Sequence, residues 1–375
     1  MLNQKRVFDC LRGHGVTFFT GVPDSYLNGF CNYALHHHSE RNIITANEGN
    51  AIALAAGHYL ATKEIPLVYM QNSGEGNAVN PLVSLADRNV YAIPMILLIG
   101  WRGQGNSEPN HPQHKVQGEI TTELLDLLHI PYSVLTDSDE AFEKEAEKAA
   151  EYCRLTRGIY AFVAPKGVMA DPDKPNNADD TYPMSREEAI EVIIDQMPED
   201  TIYSATTGRA TRELFFLREK RGENKDHDFL NVGSMGHASS VALGIAMSTE
   251  RPVVALDGDS AAIMHMGALT MVSKVSAPNF LHVILNNGAH ESVGGQPSAG
   301  HLLDWTKIAE ACGYATFGKA VETRDELIES IHMLRQTNKA GFIDCRIHKG
   351  LARKLPPIVF DHREAIDALI QELDK

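Results

Sequence analysis

Short apolar runs alternate along the chain with stretches of helical periodicity. In the first half the runs are VTFFTGVPDS, NIITANEGN, PLVYMQNSGEGN, PMILLIGWRG, YSVL and IYAFVAP; in the second they are TIYSATTG, FLNVGSMG, PVVALDGD, FLHVILNNG and GFIDCRI. Each run predicts a strand and each intervening stretch a helix. Strands alternating with helices predict an α/β protein with two mostly parallel sheets, each flanked by helices. The opening MLNQKRVFDCLRGHG reads as an amphipathic helix, not a secretion signal.

Polar residues gather where the apolar runs stop: GVPDS, NEGN, QNSGEGN and WRG in one half, TTG, GSMG, GDS and NNG in the other. In parallel sheets, ligands bind beyond the carboxyl ends of the strands, so each half is expected to carry one chemically rich edge. Between the halves, KGVMADPDKPNNADDTYPMS (166–185) has linker composition. The expected organisation is a first domain at 1–166, a linker at 167–185 and a second domain at 186–375.

A length of 375 residues agrees with two domains. No run approaches the ~18 apolar residues of a membrane span. The net charge of -15 disfavours nucleic acid and anionic membranes as partners. An anionic substrate would then need a local cluster of cations. The five cysteines are scattered, odd in number and without a CxxC, which points to reduced thiols in the cytoplasm.

One run needs a chemical explanation. VVALDGDSAAI (253–263) delivers Asp257 and Asp259 to the end of a strand, beside Gly258 and Ser260. A tight turn would use the same residues. However, a helix at about 260–275 and a strand at about 280–286 return the chain parallel to its start. That crossover brings Asp259 and Asn287 to one sheet edge, about 5–10 Å apart depending on whether a strand intervenes. A carboxylate and an amide oxygen suit a hard cation such as Mg2+. The helix beginning near Ser260 would aim free N–H groups at a phosphate there.

GDS followed by NN resembles the thiamine-diphosphate-binding motif, usually GDG…NN. The resemblance implies that Asp259, Asn287 and the Ala289 carbonyl hold Mg2+ against the diphosphate, with Gly258, Ser260 and Ala261 lining the turn. Ser260 departs from the motif's glycine, which would strain any left-handed backbone there. NVGSMGHASSVALGIA (231–246) resembles the segment that cups the pyrimidine, with the Gly233 carbonyl and the Met235 side chain on the cofactor; ordinary core filling is the competing reading of Met235. SATTGRA (204–210) resembles a diphosphate loop, giving Thr207 and Gly208 a role that a plain helix cap would also explain. ITANEGNAIALAAGHYL (44–60) resembles the pyrimidine domain's signature, with Glu48 as catalytic acid. A glutamate there would also suit a helix dipole. Desolvated, it would share a proton with the pyrimidine and turn the cofactor's amine into a base. The fold implied is two thiamine-diphosphate-binding domains, pyrimidine-binding first and diphosphate- and Mg-binding second, with a composite site that makes the protein at least a homodimer.

YMQNSGEGNAVNPLVSLADRNVYAIPMILLIGWRG, QHKVQGEIT and NNGAHESVGGQPS extend the likeness to the thiamine-diphosphate-dependent 2-keto-acid decarboxylases. Within them the likeness is to those acting on phosphonopyruvate, with sulfopyruvate decarboxylases as near relatives. The resemblance implies a small 2-keto acid, phosphonopyruvate first, as partner. Residues expected to meet it lie on strand-end loops: Asp24, Ser25, Arg102, His111, Gln113, His114 and Lys115, then His290 and Glu291. The HxxH of NHPQH contains Pro112 and reads as a loop, not a metal site. Two other readings remain. A dehydrogenase would use the GxG of SGEGNAV, which lacks the third glycine and the acidic residue about 20 positions on. An inactive regulatory subunit of the same fold would not need Glu48, Asp259 and Asn287.

Overall fold

The computed structural model describes residues 1–375 except 107, 109–110, 170–180, 351–354, 356–357 and 359. Two compact units make up the chain: Met1–Pro175 with Ser292–Gln296, and Asn176–Glu291 with Pro297–Lys375. Most of the expected linker, 170–180, lies outside the described residues. The inclusion of 292–296 in the first unit has no signal in the sequence.

The first unit holds strands β1 (Val16–Gly21), β2 (Asn42–Ile44), β3 (Ile65–Gln71), β4 (Met95–Gly100), β5 (Tyr132–Val134) and β6 (Ile159–Ala164). They form one sheet in the order β2-β1-β3-β4-β6-β5, with every pair parallel. Helices α1 (Gln4–Gly13), α2 (Asn28–His37), α3 (Glu48–Thr62), α4 (Glu75–Pro81), α5 (Lys115–Leu127) and α6 (Asp139–Thr156) connect them. Apolar runs such as MILLIG in β4 are buried at every position, because helices cover both faces of the sheet. One face packs Phe8, Phe19, Phe30 and Phe162; the other packs Ile52, Val68, Leu97 and Val163.

The second unit repeats the plan. Its helices are α7 (Arg186–Gln196), α8 (Arg209–Arg221), α9 (Ala238–Ala246), α10 (Asp259–Met264), α11 (Trp305–Ala311), α12 (Arg324–Leu334) and α13 (His362–Leu373). Its strands begin with β7 (Ile202–Ala205), β8 (Asp228–Leu230), β9 (Val253–Gly258) and β10 (Phe280–Asn286). The two-residue strands β11 (Ala289–His290), β12 (Gln296–Pro297, which straddles the unit boundary) and β13 (Ala315–Thr316) follow, then β14 (Gly341–Arg346). The six-stranded parallel sheet runs β13-β14-β10-β9-β7-β8. α7 starts on a capping box in which Ser185 and Glu188 satisfy each other's backbone N–H groups.

Two expectations need adjusting. The crossover after Asp259 is not one helix over 260–275: a single α turn and a half, α10, gives way at His265 to a 3-10 segment over Met266–Lys274. The edge strand β13 is too short to leave an apolar run in the sequence. All five cysteines are free thiols. Among the described residues no helix is long and apolar enough to cross a membrane.

Candidate active site

In the second unit β9 and β10 are direct neighbours, with Gly258 opposite Leu285. No strand intervenes, so Asp259 and Asn287 leave adjacent strand ends. β7 lies on the other side of β9, and Thr206 donates its N–H to the Leu256 carbonyl at 2.8 Å. Thr206–Gly208, Gly258–Ala261 and Asn287–Ala289 therefore form one continuous edge. The loop carrying Gly233 and Met235 reaches the same place, since Gly236 lies against the Ala261 carbonyl and Met264. Met235 is only half-buried, which weighs against a pure core role.

Asp259 is almost wholly enclosed, and its carboxylate accepts the Ser298 hydroxyl. Burial pushes its pKa up to about 6, with the Ser298 bond holding it down in part. Ser260 sits in the first turn of α10 with an ordinary helical backbone, so replacing the motif's glycine causes no strain. Its Oγ and the Thr206 Oγ1 are buried hydroxyls with no hydrogen-bond partner. Gly208 caps α8 at φ 100°, ψ -124°, a conformation that only glycine adopts freely.

Behind this edge lies an ion-pair cluster. Asn287 donates Nδ2 to Glu291 Oε2 at 2.9 Å and accepts the Ala289 N–H on Oδ1 at 3.2 Å. Arg186, at the start of α7, reaches Glu291 Oε2 at 2.6 Å and Glu213 Oε1 at 3.2 Å. Arg209, at the start of α8, reaches Glu291 Oε1 at 2.7 Å.

These residues fit Mg2+ and a diphosphate. Asp259, the Asn287 amide and the Ala289 carbonyl offer hard oxygen ligands on one edge. The two unpartnered hydroxyls and the glycine turn beside them offer donors to an anion. Among the described residues no three His, Cys, Asp or Glu gather to hold a metal. The cation site on this edge draws on amide and carbonyl oxygen beside the Asp259 carboxylate.

The first unit's edge is different. Glu48 opens α3, is nearly fully buried, and accepts Asn77 Nδ2 on Oε2 at 2.8 Å. Burial raises its pKa, and the Asn77 hydrogen bond offsets this only in part. Gly74 packs against the carboxyl so closely that any side chain there would collide with it.

The expected substrate residues come together only in part. Ser25 and Arg102 meet, with Arg102 Nη1 at 3.3 Å from Ser25 Oγ, and the guanidinium also lies over the Tyr26 ring at 5.1 Å. Asp24 is a buried cap, not a presented side chain: it has no exposed surface and accepts Gln71 Nε2 at 2.7 Å and the Tyr26 N–H at 3.0 Å. Arg102 is not a free cation, because Glu108 pairs with it at 2.7 Å. Burial, reinforced by Arg102, pushes His114 down to about 4, so it is a neutral ring. Burial does the same to His290. Lys115 is exposed, and His111 and Gln113 are half-buried beside the 3-10 turn Pro112–His114. Glu291 does not face outward: its carboxylate is consumed by Arg186, Arg209 and Asn287.

Sequence reasoning missed Asn77, Ser298, Arg186 and Arg209, since each acts through a neighbour distant in sequence, and Glu108, six residues from Arg102 in an irregular loop where no periodicity sets the pairing. Only Arg186 and Arg209 left a trace, as cations at helix N-termini where the dipole disfavours them.

Residues 3–125 match the thiamine pyrophosphate enzyme N-terminal TPP binding domain, and residues 207–345 match the C-terminal TPP binding domain of the same enzymes. A phosphonopyruvate decarboxylase of Streptomyces hygroscopicus is 34% identical, over 97% of this chain and 92% of its own. One of Streptomyces viridochromogenes is also 34% identical, over 91% and 87%. A sulfopyruvate decarboxylase of Methanosarcina acetivorans is 26% identical, over 99% and 97%.

Proposed function

The chain belongs to the thiamine pyrophosphate enzyme family, among its 2-keto-acid decarboxylases, and from that premise we propose that it converts phosphonopyruvate to phosphonoacetaldehyde and CO2. The observation that carries this reading is the stronger likeness, over nearly the whole chain, to phosphonopyruvate than to sulfopyruvate decarboxylases. Intact Glu48, Asp259 and Asn287 support an enzyme over an inactive subunit.

Thiamine diphosphate, held with Mg2+, supplies when bound the nucleophilic carbon and the electron sink that decarboxylation requires. The chain's part is to hold and tune it. Glu48, whose pKa burial raises, is placed to share a proton with the pyrimidine ring nitrogen. Asp259, Asn287 and the Ala289 carbonyl hold the cation. Thr207, Gly208, Gly258, Ser260 and Ala261 bind the diphosphate, and Gly233 and Met235 shape the pyrimidine site. Ser25, Arg102, His111, Gln113 and Lys115 are assigned to the substrate. With Arg102 paired and His114 neutral, selectivity for a phosphonate rests on Lys115, on neutral donors, and on whether substrate takes over Arg102 from Glu108.

The protein works as a homo-oligomer, at least a dimer, in the cytoplasm. α3, which begins at Glu48, exposes Leu54 and Leu60, and the second unit exposes Met247, Met266 and Met271, apolar surface of the kind that a second copy covers. Five free thiols agree with a reducing compartment.

The test is kcat/KM for phosphonopyruvate, sulfopyruvate and pyruvate under one condition, following the three aldehydes. Each charge-assisted hydrogen bond to the head group contributes about 1.5–3 kcal/mol, so pyruvate, losing two, should be poorer by on the order of a hundredfold or more. A preference for sulfopyruvate overturns the substrate and leaves the cofactor chemistry standing.

A further inference from the structure

We propose that Glu291 is a positioning residue for the cation site: clamped by two arginines, it captures the Asn287 amide N–H and thereby turns the Asn287 oxygen toward the metal. The inference rests on the reading of Asp259, Asn287 and the Ala289 carbonyl as the cation's ligands.

An asparagine amide presents an oxygen on one side and an NH2 on the other, and the two are nearly identical in shape. Turned the wrong way, it would aim two positive hydrogens at a cation. Something must decide the orientation. A carboxylate accepts hydrogen bonds and cannot donate them, so a fixed carboxylate beside Asn287 can meet only Nδ2. Glu291 occupies that position, with Oε2 2.9 Å from Asn287 Nδ2. On the other side of the amide, the Ala289 N–H reaches Oδ1 at 3.2 Å. The amide is thus set from both sides.

The glutamate itself cannot drift. Arg186 Nη2 holds Oε2 at 2.6 Å, and Arg209 Nη1 holds Oε1 at 2.7 Å. The Gly350 N–H also donates to Oε1, and Arg209 Nη2 reaches the Glu291 carbonyl at 3.1 Å. Its side chain is 4% exposed, so water does not compete. The cluster thereby ties the starts of α7 and α8 to the loop that follows β10. Outer partners of this kind commonly control metal affinity by about 10- to 100-fold.

A merely structural role, neutralising two buried arginines, predicts something else. Glu213 shares that role through Arg186 at 3.2 Å, and no hydrogen bond runs from it to Asn287. The test uses the full-length protein and reads the Mg2+ concentration that half-saturates thiamine diphosphate binding by calorimetry, with Tm measured alongside. Glu291→Gln can offer its own NH2 to Asn287 and should raise the half-saturating Mg2+ by about 10- to 100-fold. Glu213→Gln should lower Tm and leave that value within about threefold. Asn287→Asp alone sets two carboxylates against each other and should bind Mg2+ poorly. Asn287→Asp combined with Glu291→Gln restores a donor–acceptor pair and should recover most of the affinity. Glu291→Asp keeps the charge on the arginines and shortens the reach to Asn287, so it serves if Glu291→Gln does not fold; it too should weaken Mg2+. Equal shifts in Glu291→Gln and Glu213→Gln, no gain in the double variant over Asn287→Asp, or unchanged Mg2+ dependence in Glu291→Asp would each overturn the proposal. Unchanged Mg2+ dependence in Asn287→Ala would instead overturn the ligand assignment beneath it.

Discussion

The two strand-end edges set their buried carboxylates among different neighbours. In the first unit Glu48 is enclosed with one amide partner, and Glu75, the first residue of α4, is pushed up to about 8 by burial. Burial raises the pKa of both, so each binds a proton more tightly than an exposed glutamate does. In the second unit Asp259 is equally enclosed, yet Arg186 and Arg209 stand behind it, paired with Glu291 and Glu213. On the proposed reading, this carboxylate takes a metal ion in place of a proton. Burial sets the carboxylate's appetite for positive charge; the neighbouring cations, hydroxyls and amides decide whether a proton or a metal satisfies it.

The largest effect should come from removing the second edge's carboxylate. Asp259→Ala deletes a hard ligand and leaves the diphosphate poorly neutralised. Mg2+-dependent cofactor binding should be lost and activity should fall below detection, while circular dichroism remains that of the wild type. Wild-type cofactor affinity in this variant would show that the edge does not hold the metal.

At the first edge, Glu48→Gln should divide binding from proton transfer. Glutamine can still hydrogen-bond Asn77 and the pyrimidine but cannot deliver a proton. Cofactor binding should persist within a few-fold. Exchange of the cofactor's acidic C–H with deuterated solvent, and turnover with it, should fall by about 10²- to 10⁴-fold. Exchange at the wild-type rate removes Glu48 from the chemistry.

Much of this contrast is legible in the sequence, and the part that is not has a physical cause. The runs MILLIG and FLHVILN declare their strands because sheets covered on both faces need apolar residues at every position. Asp259 and Asn287 follow, since strand–helix–strand connectivity alone returns them to one edge. Arg102 and His114 are residue types that promise positive charge near an anionic substrate; burial takes it from His114, and Glu108 occupies the charge of Arg102. Glu291 looked like a loop residue free to face substrate, because its two arginine partners lie far away in the chain. The break at His265 and the two-residue strand β13 fall below the length at which periodicity carries a signal.

If the two edges complete one site across subunits, their defects should complement. Mixing inactive Glu48→Gln with inactive Asp259→Ala protein leaves one intact composite site in each mixed dimer. Random exchange in a symmetric dimer should then restore about a quarter of wild-type activity. No recovery, with subunit exchange verified by a mass tag, would place both edges of each site in one chain.

The smallest effect concerns Glu75, which has no assigned role in catalysis and isolates what burial alone does at the first edge. It opens α4, is 6% exposed, and leaves Oε1 without a hydrogen-bond partner. Burial raises its pKa from 4.5 to about 8, with Thr121 offsetting part of the shift. The folded state therefore keeps a proton that the unfolded chain releases near pH 4.5. Stability from this group is complete below that value, declines as pH rises, and is gone above about 8. Glu75→Gln carries no titrating group. Its Tm should fall less steeply than the wild type's between pH 5 and pH 8, and at pH 8 should lie a few degrees above it, with turnover unchanged. Superimposable Tm–pH curves for the two proteins would mean that Glu75 is hydrated in solution and ionises near its ordinary value. The weakened acidity of the first edge would then belong to Glu48 alone, and not to burial common to the two carboxylates.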